Sequence, residues 1–133
     1  MNHYVNLALR GGHPCIVGCI GVAYVDIPTG MLLGVATVAP AKAEHLDDAA
    51  TAVADLFDGP IVSAIQRMLG PIGTEPETAA DHIVLLRQDV LHVLTRGRRY
   101  PDHAAIFVRR STFEVRSVLI CVSDALARIE AAF

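Results

Sequence analysis

The chain has 133 residues, of which 53% are apolar, 19% charged and 5% aromatic, and its formal net charge is -3. That length suits one domain, residues 1–133 with 1–14 as an irregular leading segment, and buries about two thirds of the unfolded surface without disulfide staples. Nucleic acid is a poor partner, since no lysine-rich run interleaves with aromatics and the net charge repels phosphate, and no apolar run approaches the roughly 18 residues of a membrane span.

Residues 15–25, CIVGCIGVAYV, are apolar throughout and rich in β-branched residues and glycine, which suits a strand buried on both faces. Residues 31–38, MLLGVATV, have the same character. Between them Pro28 presets φ at the first corner of a turn and Gly30 supplies a positive φ after it, so the pair reads as a hairpin with a loop of three to five residues. From Glu44 the period changes to helical, with Leu46, Ala49, Ala50, Val53 and Phe57 on one stripe. Gly59-Pro60 interrupts, and Ile61, Ile65, Met68 and Leu69 resume it, as one kinked helix or two short ones.

A polar connector leads to HIVLLR and VLHVLTR, which flank Gln88-Asp89 as a second hairpin, with Arg87 opposite Val90 and Leu85 opposite His92. HAAIFVR, 103–109, follows the loop RGRRYPD as a fifth strand. Ser111 and Glu114 have capping-box spacing, and Val115, Val118, Leu119, Val122, Leu126, Ile129 and Phe133 mark the apolar face of a closing helix. The order is β-β-α-β-β-β-α, an α+β fold with a five-stranded antiparallel sheet and helices expected over one face.

Asp26, in VDIPTG, could be half of a carboxylate pair, but a second Asp-Thr-Gly is absent and acid-base work needs two groups. Its plain role is to close the turn through a local side chain to backbone bond. Cys15 and Cys19 on one strand face lie about 13 Å apart, too far for a shared metal or a disulfide, and Cys121 reads as a small apolar residue. Ile16-Val17-Gly18-Cys19 imitates a lipoprotein processing site, yet Arg10, Gly11, Gly12, His13 and Pro14 stand where an apolar run is needed. Reduced thiols and a cytoplasmic location are the expectation. His82 and His92 fall on opposite sheet faces and cannot share a ligand, and the glycines form no phosphate loop. No catalytic residue, cofactor or metal is expected.

Charge is uneven: residues 1–81 hold three basic and nine acidic residues, whereas 82–116 hold seven arginines against three acids. Arg96, Arg98 and Arg99 in a loop, with Arg109 and Arg110 ending the next strand, form the candidate surface for an acidic partner.

GCIGVAYVDIPTGMLLGVATV, HLDDAATAVADLF, HIVLLRQDVLHVLTR, HAAIFVRR and the closing STFEVRSVLICVSDALARIEAAF together resemble the Roadblock family of dynein light chain-like proteins. The resemblance covers about residues 15–133, and its most recognisable word is Val25-Asp26-Ile27-Pro28-Thr29-Gly30 between two apolar strands. It implies a homodimer whose sheets join edge to edge while the intervening helices pack together. Leu46, Ala49, Ala50, Val53, Ile83 and Leu85 are then the interface candidates. It also implies a non-enzymatic, bacterial-type scaffold for a small Ras-like GTPase, since such members act as platforms that remodel the GTPase without lending it a catalytic residue. Two rivals are a profilin-like sensory or ligand-binding module, which needs a deep apolar pocket, and a cysteine enzyme, which needs Cys19 or Cys121 exposed beside a histidine.

Overall fold

The computed structural model describes residues 7–10, 19–37, 50, 52–53, 56–57, 59–69, 81–110 and 115–133. Its elements are β1 (Gly21–Asp26), β2 (Met31–Thr37), α1 (Pro60–Leu69), β3 (His82–Arg87), β4 (Val90–Arg96), β5 (His103–Arg110) and α2 (Val115–Ala131), in the order that the periodicity predicts. The strands form one antiparallel sheet in the spatial order β2-β1-β5-β4-β3. Chain-distant β1 and β5 are neighbours near the centre, and β2 and β3 are the edges.

Register follows the turns. In the second hairpin Arg87 opposes Val90, Leu85 opposes His92 and His82 opposes Thr95, as read from a two-residue loop. Gln88 opens that loop in the left-handed region at φ 55°. In the first hairpin the pairing shifts after Tyr24, so that Leu33 is an extra residue on β2. The extra residue shifts the alternation, so that Leu32 and Val35, three apart, share one core and Leu33 and Ala36, also three apart, share the other. The first strand begins at Gly21 rather than at residue 15, and residues 15–18 lie outside the described set.

The sheet is covered on both faces, where one face is expected. On one side Val22, Tyr24, Leu91, Val93, Ala105 and Phe107 pack against Val118, Val122, Ala125, Leu126 and Ile129 of α2. On the other, Ala23, Val25, Leu94, Ala104 and Ile106 pack against the helical residues Ala50, Val53 and Phe57. The reason lies in β1 and β5, which read as continuous apolar runs because consecutive residues point into opposite cores. A strand fully buried in this way requires cover above and below, and each large aliphatic or aromatic side chain contributes about 1.5–3 kcal/mol.

Within the segment expected to be irregular, Leu7, Ala8 and Leu9 are helical, and Leu9 is wholly buried against the α2 side of the core. Gly59 is a bend and Pro60 is the first residue of α1, where its missing N–H costs nothing. Leu46, Ala49, Ser111 and Glu114 lie outside the described residues.

Candidate functional site

Asp26 ends β1, and its carboxylate accepts from Thr29 Oγ1 and from the Thr29 backbone N–H at 3.3 Å. Gly30 N–H donates to the Asp26 carbonyl at 2.8 Å, with Gly30 at φ 68°. Thr29 Oγ1 in turn accepts from Met31 N–H at 3.2 Å. The aspartate therefore closes a turn, and the sequence shows this because the hydrogen bonds of the turn all lie within five residues. Its other oxygen lies 3.9 Å from Nε2 of His103, whose Nδ1 is 2.8 Å from the Tyr24 hydroxyl. Tyr24 is fully buried, and burial first, then the charge of Glu130 and Tyr100, holds its phenol well above the usual range. Phe133 covers this corner, with its ring centroid 4.7 Å from that of His103 and 5.9 Å from that of Tyr24.

Beside that corner is the arginine loop. Glu130 of α2 is 3% exposed, yet its carboxylate is fully engaged: Oε1 accepts from Arg98 N–H at 2.9 Å, and Oε2 from Arg99 N–H at 2.7 Å and Tyr100 N–H at 3.0 Å. Three successive amides turned onto one carboxylate form an anion nest filled by the chain's own side chain. Gly97 permits the turn, since a Cβ there would stand 2.4 Å from the Tyr100 carbonyl oxygen and 3.0 Å from Glu130 Oε1. Sequence reading missed Glu130, because nothing local distinguishes it from the other charged residues of a closing helix.

The loop presents two of its arginines to solvent. Arg98 and Arg99 are exposed, the latter with its guanidinium over the Tyr100 ring at 5.5 Å. Arg96 is held down, donating to the Pro101 carbonyl at 3.0 Å and lying over Phe57 at 5.0 Å. Arg109 and Arg110 are at the far end of β5, six ladder positions or about 20 Å away, since Arg96 pairs with Ala104 and Arg110 with Val90. Arg109 is also 7% exposed, and Arg110 forms a solvent-facing 3.4 Å pair with Asp89. The five arginines are thus not one patch.

A groove of about 510 Å³ runs between this loop and the C-terminal half of α2, lined also by His82 and Thr95, with the exposed Asp81 at its rim. His82 Nδ1 is 3.3 Å from Thr95 Oγ1 across the β3–β4 ladder. The space between sheet and α2, where an apolar ligand would lie, is instead filled by Tyr24, Phe107, Val122 and Ile129.

The remaining candidates divide. Cys19 is a buried thiol, and burial pushes its pKa up to about 11 against an opposing pull from the Arg109 guanidinium, so it is protonated and unreactive at neutral pH. Cys121 is disulfide-bonded, contrary to the reduced thiol expected, because strand spacing says nothing of a residue on a packed helix. Among the described residues no three of His, Cys, Asp and Glu come together as a metal cluster. Ala50 and Val53 are buried inside the chain's own core, so a second copy cannot reach them as folded. Ile83 is half-buried, while Leu85 and Leu86 on the β3 edge are 46% and 64% exposed. Ile61, Ile65 and Met68, one apolar face of α1, are exposed as well.

Comparison with solved structures fixes the architecture. The gliding protein MglB from Thermus thermophilus superposes with a TM-score of 0.70 at 17% identity, over 99% of this chain and 92% of that one. An MglB with a tetrameric arrangement gives 0.67 at 20%, over 100% and 95%. A Roadblock/LC7 domain from Streptomyces avermitilis gives 0.62 at 9%, over 96% and 93%. No family model matches the chain, and no curated protein is significantly similar to it in sequence. The fold is of the roadblock type, in the form carried by the bacterial MglB structures.

Proposed function

We propose that residues 1–133 form one non-enzymatic regulatory domain that pairs as a homodimer and serves as a platform for a small Ras-like GTPase. The observation that carries this reading is the open β3 edge. Among the described residues it pairs only with β4, and it exposes Leu85 and Leu86 where a monomer would need charge or proline to prevent uncontrolled strand addition. A second copy related by a twofold axis covers that edge, and the apolar face of α1 extends the surface to be covered. The roadblock-type fold supports the GTPase as partner, through the resemblance drawn from the sequence. Leu46, Ala49, Ile83 and Leu85 remain interface candidates, and Arg98 and Arg99 are the partner-facing cations.

Size-exclusion chromatography with light scattering, followed by capture of partners from the source cell, tests this. The reading requires twice the monomer mass, or a multiple of that, together with a guanine-nucleotide-binding protein among the captured chains. A monomer that captures no GTPase overturns it.

A further inference from the structure

The groove beside the arginine loop has a chemistry of its own. Among the described residues its walls carry two acidic side chains, and they differ in what they offer. Glu130 is sequestered beneath three backbone amides, so its charge is matched inside the wall, whereas Asp81 is exposed at the rim. Against them stand the guanidinia of Arg98 and Arg99, both solvent-facing and both free of any carboxylate among the described residues. The α2 wall is shallow: Ser123 and Ala127 are small, and Leu126 lies beneath them.

We infer that this groove receives an acidic, extended segment of a partner protein, with two carboxylates on Arg98 and Arg99 and an aliphatic side chain between them against Leu126 and Ala127. The proposal deepens the scaffold reading and rests on it for the partner being a protein. Two features favour a peptide over a phosphate group. The backbone amides that would cradle a phosphate, those of residues 98 to 100, are already spent on Glu130. The guanidinia that are left match carboxylate and phosphate alike, so the choice rests on the spent amides and on the size of the groove. The groove's 510 Å³ is also many times the volume of one anion and accommodates several residues of an extended chain. Glu130 acts here as a positioning residue, holding the loop in the shape that points both arginines outward.

The test is fluorescence anisotropy on the full chain at low salt, using a fluorescein-labelled octapeptide of alternating Glu and Leu, its Gln and Leu isostere, and inorganic phosphate as competitor. The Glu peptide binds and the isostere binds at least about tenfold more weakly. Arg98→Glu and Arg99→Glu each weaken the Glu peptide about tenfold, and raising the salt does the same. Ala127→Trp, an exposed helix position whose new ring fills the groove, abolishes binding while circular dichroism and oligomeric mass stay unchanged. Equal binding by wild type, the arginine variants and Ala127→Trp overturns the proposal. So does inorganic phosphate displacing the peptide at submillimolar concentration, because the site would then be a simple anion site. Peptide binding by a chain that is monomeric and captures no GTPase keeps the groove and removes the scaffold reading. A dimeric, GTPase-bound chain indifferent to the peptide removes the groove and keeps the scaffold.

Discussion

Glu130 ties the C-terminal end of α2 to a loop thirty residues earlier in the chain, and it is the side chain on which that corner depends. Glu130→Ala leaves three amides without their charged acceptor and is expected to cost about 2–4 kcal/mol, a fall in Tm readable by calorimetry. Gly97→Ala should cost about 2 kcal/mol or more, because the added methyl meets backbone rather than a side chain that could move away. Cys19 supplies a pH signature. Its folded pKa, about 11, is raised above that of the unfolded thiol. The stability it confers is therefore complete below about pH 8.5 and is lost as pH rises toward 11. Cys19→Ala should flatten that part of the alkaline limb in a denaturation series across pH 8 to 11. Asp26 was legible in the sequence since a turn aspartate bonds to its neighbours; Glu130 was not, since its acceptors are fixed only when the sheet and α2 come together.

At the level of elements, the two hairpins were readable down to the register, because turn length and side-chain alternation determine pairing together. Gln88, held at φ 55°, is a site for improvement: Gln88→Gly should stabilise the β3–β4 hairpin by up to about 1 kcal/mol, seen as a raised Tm. What the pattern did not convey was the distribution of helices. VAYV and AAIFV announce strands buried on both sides, yet a one-face arrangement assigns every helix to the same side and leaves half of those residues without cover. Ala50 and Val53, interface candidates through the family resemblance, are instead the cover for the second face. The arginines were misgrouped for a related reason: Arg99 and Arg109 are ten residues apart in sequence, but a β-strand carries the chain away in a straight line.

At the scale of the whole molecule, the proposed function lies on two surfaces. One is the β3 edge with the exposed face of α1, and the other is the groove walled by Arg98, Arg99 and α2. Leu86→Lys separates folding from assembly. Leu86 is exposed, so a monomer tolerates the lysine within about 0.5 kcal/mol, whereas a paired edge would bring two like charges together across the twofold axis. Sedimentation equilibrium should therefore show a folded monomer for this variant and an oligomer for the wild type. The most direct measurement of the central claim is native mass spectrometry of the chain captured from its source cell. The account predicts a particle containing two copies of the 14.2 kDa chain, or a multiple of two, together with a small protein carrying bound guanine nucleotide. A single 14.2 kDa chain with no nucleotide-bearing companion would contradict it.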